Sequence, residues 1–166
     1  MRPDSLFYIE VNIDDQTLMC FEDGVLVKSY LVSTALNGAG ERSGSEQTPR
    51  GRHYVRAKIG AGQPLGAVFV GRRPTGEVYS GALANAFPTR DWILTRILWL
   101  CGLERGFNRG GSVDSMRRYI YIHGTPDTEP MGTPKSHGCI RMRNQDMLEL
   151  FEWVPQQCPV RILANA

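Results

Sequence analysis

The sequence predicts a mainly β fold of the α+β class, built as one domain with two helices. Short runs of branched and aromatic residues, separated by turn residues, recur through residues 6–70. Two later segments, 92–100 and 145–154, have apolar residues at helical spacing. The chain of 166 residues is long enough for one core and short for two, so we expect a single domain over residues 1–166.

The first predicted strands are separated by recognisable turns. They are predicted at residues 6–13, 17–21, 25–33, 53–59 and 67–70. The pair Asp14-Asp15 ends the first strand, and residues 22–24 (EDG) form a strong hairpin signal after the second. Residues 36–52 form a long Gly- and Ser-containing loop, and a loop of that length in a compact domain is usually functional or mobile.

The second half combines both predicted helices with two strands. Asp91 is expected to cap a helix over 92–100, which Gly102 ends. Asn144 is expected to cap a second helix over 145–154, which Pro155 ends. Further strands are predicted at 117–123 and 160–163.

Composition and charge exclude several classes of function. There are 19 Lys and Arg residues against 17 Asp and Glu, and this near balance disfavours a nucleic-acid partner. Residues 1–13 lack the apolar run of a secretory leader. The most apolar stretch, 92–101, is interrupted by Thr95 and Arg96 and is too short to cross a membrane. We therefore expect a cytoplasmic protein without nucleic-acid or membrane partners.

The four cysteines are far apart in the sequence and form no CxxC pair. This spacing indicates neither a zinc ribbon nor a redox dithiol, and in a cytoplasmic protein the thiols are expected to be reduced. Cys20 and Cys101 lie in apolar runs and are predicted to be core thiols. Cys158 is predicted to be structural as well.

The segments that carry chemistry are residues 121–125 (YIHGT) and 136–142 (SHGCIRM). A thiol attacks a carbonyl as thiolate, and a nearby imidazole can take its proton, so His123 at a strand end and Cys139 on a returning loop suit acyl transfer. Gly138 allows a substrate to approach closely, and backbone N–H groups beside Cys139 can face an oxyanion.

Two other interpretations of these residues stay open at this point. A cysteine and a histidine are often structural, although the polar, Pro-containing loop before Gly138 weakens that interpretation. Alternatively, His123, His137 and Cys139 supply three zinc ligands, but no fourth ligand is evident.

Several other polar and aromatic residues have both a functional and a structural interpretation. His53 is expected at the surface of a strand. Seven arginines are candidates for contacting a carboxylate, or else belong to the solvated surface: Arg50, Arg52, Arg56, Arg72, Arg73, Arg117 and Arg118. Three aromatic residues are expected either to line a pocket or to pack in the core, namely Tyr79, Trp92 and Trp99.

The motifs at 122–125 and 136–142 together resemble the signature of the YkuD-domain L,D-transpeptidases. Residues 32–34 (VST) and 48–51 (TPRG) also match the pattern of that family, so the resemblance covers nearly the whole chain. It implies a β-sandwich-like catalytic domain that forms a thioester on cysteine and needs no cofactor or metal. The substrates it implies are peptidoglycan tetrapeptide stems, opened between the L-centre of diaminopimelate and the terminal D-Ala.

The resemblance also implies a role for each matching residue. Cys139 is the expected nucleophile, His123 the base, and the Gly124 carbonyl the group that orients the imidazole. The expected oxyanion hole is formed by the N–H groups of Gly138 and Cys139. The remaining expected site residues are Ser136, His137 and Arg141 around the pocket, and Thr125, Arg52 and Tyr79 as substrate contacts.

This sequence departs from the family pattern in two places. Only twelve residues separate His123 from Ser136, which predicts a compact loop over the site. Residues 71–115 exceed the minimal domain and are expected to narrow the side where an acceptor binds. Arg141 stands where some members of the family have Asn.

The expected cytoplasmic location favours one outcome of the thioester chemistry. A cytoplasmic enzyme meets soluble muropeptides, so we expect an L,D-carboxypeptidase that trims tetrapeptides during muropeptide recycling. The alternative is an L,D-transpeptidase that forms 3-3 crosslinks or exchanges D-amino acids. An alternative of another class is a non-catalytic peptide-binding module. If the protein is an enzyme, a carbapenem is expected to acylate Cys139.

Overall fold

Ten β-strands form the framework of the described part of the molecule. The structure, a computed structural model, describes residues 6–165. The strands are β1 (Phe7–Asn12), β2 (Thr17–Glu22), β3 (Val25–Leu31), β4 (Gly51–Ile59), β5 (Ala67–Val70), β6 (Arg73–Val78), β7 (Ile93–Gly102), β8 (Tyr121–Thr125), β9 (Ile140–Arg143) and β10 (Pro159–Leu163). The α-helices are α1 (Gly81–Ala86) and α2 (Asn144–Trp153), and a short 3-10 turn covers Gly111–Val113.

All ten of these strands belong to one mixed sheet. Its main path runs β3-β2-β1-β10-β4-β7. Ile97 of β7 pairs with Ile59 of β4 and with His123 of β8, so β4 and β8 lie on opposite edges of β7. The strand β5 pairs with β7 on the same edge as β4. Most pairs are antiparallel, but β1 and β10 run parallel, as do β8 and β9. The strands that carry the two motifs therefore lie next to each other.

The sheet curls over itself around a single large apolar cluster. Ile9, Val11 and Leu18 from β1 and β2 share this cluster with Ile122 of β8 and Leu150 of α2. Burial of these side chains provides the main driving force for the curl. The sandwich expected from the sequence is thus made by one curled mixed sheet, and the predicted mainly β fold with two helices is confirmed.

The helix predicted over 92–100 is wrong, because this segment forms β7. Nearly every side chain of β7 is buried, so the segment lacks the apolar–polar alternation that distinguishes a half-exposed strand from a helix. The branched residues Ile93, Thr95 and Ile97 favour the strand. Asp91 consequently caps no helix. The fold still has two α-helices, because a short helix that was not predicted, α1, forms before β7. Its N-cap Ser80 accepts a hydrogen bond from the Leu83 N–H.

The helix predicted near the C-terminus is confirmed as α2, but its cap was predicted wrongly. Arg143 occupies the N-cap position, and Asn144 is the first helical residue. The Asn144 side chain turns into the protein, where it accepts a hydrogen bond from Thr95 and donates one to the Thr125 carbonyl. Asn144 therefore ties α2 to β7 and β8.

The remaining differences concern strand limits and burial. The strand predicted over 117–123 begins only at Tyr121, because a turn precedes it. The strand β6 was missed since its residues are mostly exposed and include Pro74 and Gly76. His53 was predicted at the surface but is fully buried. The domain boundary at 1–166 stays a prediction. Among the described residues, neither α-helix has the length and apolar character needed to cross a membrane.

Candidate active site

The parallel pairing of β8 and β9 places the residues of the two sequence motifs side by side. His123 lies opposite Arg141, and Ile122 lies opposite Ile140. Because side chains alternate along a strand, Ile122 and Ile140 enter the core while His123 and Arg141 point to the other face. Cys139 directly precedes β9 and opens onto the same face.

This face forms a cavity of about 520 Å³. It contains five of the residues expected in the site, namely His123, Ser136, His137, Cys139 and Arg141. The other lining residues are Gly71, Arg72, Asp91, Ile93, Tyr119 and Tyr121. The fold therefore brings the two sequence motifs together around one opening.

The Cys139 thiol lies between two backbone groups. It donates a hydrogen bond to the Tyr119 carbonyl, with 3.3 Å between Sγ and O, and accepts one from the Tyr121 N–H, 3.4 Å from Sγ. Burial raises the pKa of Cys139 to about 11, and the Tyr121 hydrogen bond and the charge of Arg141 offset this only in part. At neutral pH the sulfur is therefore a thiol.

The His123 imidazole is buried and held by its neighbour. Its Nδ1 lies 2.6 Å from the Gly124 carbonyl oxygen, so Nδ1 carries the proton and donates it there. The lone pair is then on Nε2. Burial lowers the pKa of His123, so the ring is neutral at neutral pH and able to accept a proton.

Close packing requires glycine at position 124. A Cβ atom there would collide with the Asn144 side-chain oxygen and lie only 2.7 Å from the Leu94 carbonyl oxygen. Thr95 donates a hydrogen bond of 2.6 Å to the same Asn144 oxygen. The carbonyl that orients His123 is thus held in place by contacts from β7 and α2.

The loop before Cys139 is fixed by two hydroxyl groups. Ser136 Oγ donates to the Cys139 carbonyl at 2.6 Å and accepts the Gly138 N–H at 3.2 Å. Thr48 Oγ1 donates to the Gly138 carbonyl at 2.9 Å. Gly138 has φ +135°, a conformation that side chains disfavour. The Gly138 N–H, expected in the oxyanion hole, is thus bonded to Ser136 in this structure.

Arg118 fastens the long loop to this site. Its guanidinium donates to the Gly40 and Glu41 carbonyls and, at 2.6 Å, to the Gln47 carbonyl. These acceptors lie in the 36–52 loop that the sequence predicted. One half-buried cation therefore holds the loop and also acts to lower the pKa of Cys139.

The rim of the cavity carries one long polar contact and one ion pair. His137 is exposed, and its Nδ1 lies 3.9 Å from Glu46. Arg141 is almost buried and donates to the Asp91 carboxylate at 3.2 Å. Asp91 thus neutralises Arg141 instead of capping a helix.

Comparison with known proteins identifies the family. The model of the YkuD family, the L,D-transpeptidase catalytic domain, matches residues 6–162. The chain belongs to this family. A Bacillus licheniformis relative named as an L,D-transpeptidase, YkuD, is 28% identical over 163 residues, which are 97% of this chain and 68% of the relative.

Solved structures agree with this YkuD domain in fold. The L,D-transpeptidase of Enterococcus faecium is 19% identical with a TM-score of 0.58, covering 95% of this chain and 49% of that one. L,D-transpeptidase 3 of Mycobacterium tuberculosis, solved with a faropenem-derived adduct, is 16% identical with a TM-score of 0.57, covering 95% and 60%. At these identities the likeness establishes the fold alone. The chain spans about half the length of the first structures it matches.

Three expected substrate contacts of the YkuD domain lie outside the cavity. Thr125 is buried, and its carbonyl accepts the Asn144 amide. Arg52 borders a different cavity of about 460 Å³. The ring of Tyr79 packs edge-on against Trp92, with 5.1 Å between ring centroids. None of these three residues lines the cavity of Cys139.

Sequence reasoning missed the two tyrosines that contact the sulfur. A signal for Tyr121 was available, since it lies two residues before His123 and strand alternation places both on one face. Tyr119 carried no such signal, because it lies in a turn with φ 57°. Arg72 and Arg118 were among seven arginines that the sequence did not distinguish.

The other three cysteines of the YkuD domain lie outside the cavity. Cys20, Cys101 and Cys158 are buried free thiols, as predicted. Over residues 6–165 no group of three or more His, Cys, Asp and Glu side chains is arranged to hold a metal ion. The zinc interpretation thus finds no ligand set in this part of the chain.

Proposed function

We propose that this YkuD domain opens peptidoglycan tetrapeptide stems between the L-centre of diaminopimelate and the terminal D-Ala, through a thioester on Cys139. The observation that carries this proposal is the shared cavity of Cys139 and His123, in which the imidazole has its Nδ1 proton fixed on Gly124. A neutral thiol beside a neutral base suits nucleophilic attack with proton transfer.

In the first half-reaction, Sγ of Cys139 attacks the carbonyl carbon of the scissile amide. The thiol proton passes to Nε2 of His123 as the S–C bond forms. Collapse of the tetrahedral intermediate breaks the C–N bond, and the proton moves from His123 to the leaving nitrogen. D-Ala departs, and the acyl group remains on sulfur.

The developing oxyanion needs donors beside Cys139. The Gly138 N–H becomes available if Ser136 Oγ, its present partner, gives it up, and the Ser136 hydroxyl keeps its bond to the Cys139 carbonyl. Thr48 anchors the Gly138 carbonyl throughout. The loop can thus release one N–H without losing its position.

In the second half-reaction, water or an amine attacks the thioester. His123 takes the proton of the attacking group, the C–S bond breaks, and Cys139 regains its proton. We propose water as the main acceptor, which makes the domain an L,D-carboxypeptidase. The cavity lining has two cationic side chains, Arg72 and Arg141, and one anionic side chain, Asp91. This excess of positive charge repels the ammonium group of an acceptor but not neutral water.

Soluble muropeptides are the proposed substrates, with trimming of recycled tetrapeptides as the proposed role. The cytoplasmic location stays a prediction. L,D-transpeptidation is the second candidate, supported by the family to which the chain belongs.

The test is to incubate the purified protein with a soluble tetrapeptide and to measure D-Ala release. We expect free D-Ala and tripeptide, and a loss of release of at least about 10⁴-fold in C139A, because this variant lacks the nucleophile of the covalent route. C101A, which removes a thiol outside the cavity, is the matched control and should retain activity. A carbapenem should add its mass to the wild type and to C101A but not to C139A.

Three results would change the proposal. Crosslinked dimer as the main product would make the domain a transpeptidase. Unchanged D-Ala release by C139A would exclude the thioester mechanism. Binding of the peptide by the wild type without turnover or mass gain would indicate a non-catalytic module.

A further inference from the structure

The hairpin of β5 and β6 brings one arginine to the cavity. Val70 pairs with Arg73, so Gly71 and Arg72 alone form the loop between the strands. Both have positive φ, 56° for Gly71 and 66° for Arg72, as in the tight turns that suit hairpins. Glycine or asparagine is the usual residue at such positions, and arginine is disfavoured. Strain of this kind is often maintained where a side chain has a function.

The guanidinium of Arg72 is held firmly but is not neutralised. It lies 4.8 Å from the ring centroids of both Trp99 and Tyr119, and its Nη1 donates to the Tyr121 hydroxyl at 3.0 Å. Within the described part of the chain, no carboxylate lies within ion-pair distance of Arg72. Its remaining N–H groups are therefore suited to an anion from outside the protein.

The same two tyrosines connect Arg72 to the nucleophile. The backbone of Tyr119 and of Tyr121 contacts the Cys139 sulfur, while their side chains hold Arg72. The same two tyrosines thus contact both the guanidinium and Sγ, and Arg72 and Cys139 line one cavity. In the substrate, the carboxylate of the leaving residue lies one residue beyond the attacked carbonyl, roughly 3.5 Å. A charge-assisted hydrogen bond adds about 2.8 Å, so the cation that receives this carboxylate must face the same cavity as the sulfur, as Arg72 does.

The other cation in the cavity is less suited to this role. Arg141 is almost buried and already paired with Asp91 at 3.2 Å. A substrate carboxylate there would compete with an existing ion pair, whereas Arg72 has no acidic partner among residues 6–165 to displace.

We propose that Arg72 is a specificity residue that receives the free α-carboxylate of the leaving C-terminal residue. This inference rests on the proposed function and deepens it. It predicts that the domain acts on peptides whose scissile amide is followed by one residue with a free carboxylate. An amidated C-terminus, or one extended by a further residue, lacks that charge at the required place.

The test compares a tetrapeptide ending in a carboxylate with the same peptide ending in an amide. The wild type should prefer the acid by about 10- to 100-fold in kcat/KM. R72N should reduce this preference to less than about 3-fold, mainly through a higher KM for the acid, because asparagine keeps the left-handed turn but lacks the cation. R72K, which keeps the charge without the planar fork, should give an intermediate preference.

R73Q is the matched control, since Arg73 is the exposed neighbour in the same hairpin and does not line the cavity. It should retain the preference of the wild type. Melting curves of R72N and R73Q exclude a difference caused by unfolding. Retention of the full acid preference by an active, folded R72N would overturn the role of Arg72 and leave the thioester mechanism intact.

Binding separates this inference from the proposed function. In the C139A background, calorimetry measures affinity for the acid and the amide without turnover. One outcome is that the wild type cleaves neither peptide, C139A binds the acid more tightly than the amide, and the R72N substitution in C139A removes that difference. In that case the proposed cleavage fails while the role of Arg72 in binding holds. Absence of both turnover and binding would overturn both.

Discussion

Cys139 and His123 are both uncharged in the resting site, for the same physical reason. Burial penalises charge, so it raises the pKa of the thiol to about 11 and lowers the pKa of the imidazole. The pair is therefore a thiol and a base rather than a preformed thiolate and imidazolium. In the proposed mechanism, the proton therefore moves from sulfur to His123 as the sulfur attacks.

Alkylation of Cys139 tests this protonation state. Iodoacetamide reacts with the thiolate, so its rate should rise about 10-fold per pH unit from pH 7 to pH 10, without a plateau. At pH 7, H123A should change this rate by less than about 3-fold, while D-Ala release should fall by at least about 100-fold through loss of the base.

The C139A variant corrects this experiment for the buried thiols of Cys20, Cys101 and Cys158. A plateau of the alkylation rate below pH 7, removed by H123A, would instead reveal a thiolate–imidazolium pair and contradict the expectation.

At the scale of elements, β7 helps to determine the position of His123, the proposed base. Thr95 has φ 73° and lies where the pairing between β7 and β8 shifts register. This irregularity lets Thr95 Oγ1 bond Asn144 and accept the Gly66 N–H. The strands β7 and β8 and the start of α2 therefore meet at Gly124, beside His123.

Substitution of Gly124 tests this packing. In G124A the added methyl group meets Asn144 and the Leu94 carbonyl, so we expect a loss of about 1–3 kcal/mol in the free energy of unfolding. Urea denaturation measures it. G81A is the control, because nothing lies within 4 Å of a Cβ at Gly81 and alanine favours helix α1. Equal stability of the two variants would show that the close approach at Gly124 is relieved at no cost.

At the scale of the molecule, seven non-glycine residues among residues 6–165 have left-handed backbone conformations, and three of them lie at or behind the cavity. Arg72, Thr95 and Tyr119 adopt left-handed conformations without being glycine. Arg72 and Tyr119 line the cavity and Thr95 supports Gly124 behind it. The favourable burial in the curled sheet is what allows such conformations to persist.

Stability of the whole molecule should depend on His53. This buried imidazole joins β4 to the connection before β8, with Nε2 2.8 Å from Ser115 Oγ and Nδ1 3.1 Å from the Gly51 carbonyl. Burial lowers the pKa of His53 to about 4 from an ordinary 6.5. As pH falls from 6.5 towards 4, the unfolded chain binds a proton that the folded chain does not. The free energy of unfolding should therefore fall, by up to about 3 kcal/mol.

Urea denaturation at pH 7.0 and pH 4.5 measures this loss. H53Q retains hydrogen-bonding groups but does not titrate, so its stability should fall less between the two pH values. Part of the loss remains in H53Q because His123 also has a lowered pKa. An identical pH dependence in the two proteins would contradict the role of His53.

The sequence by itself determined the mainly β class, most strands and α2, and it singled out the candidate residues for acyl transfer. Side-chain periodicity and turn residues are local signals, and the motifs at 122–125 and 136–142 identified the family from residue types alone. These local signals predicted a helix where β7 forms, because its mostly apolar run is compatible with either a buried helix or a central strand.

Only the tertiary structure decided which residues surround the sulfur and how they are charged. Arg72 and Tyr121 meet because β5 and β8 both pair with β7, and Arg72 lies in the loop that joins β5 to β6. No local pattern encodes that contact. Likewise, the burial of His53 and the neutrality of Cys139 depend on desolvation by segments distant in the chain. Desolvation and close packing are long-range effects, so they are absent from the sequence pattern that predicts the strands.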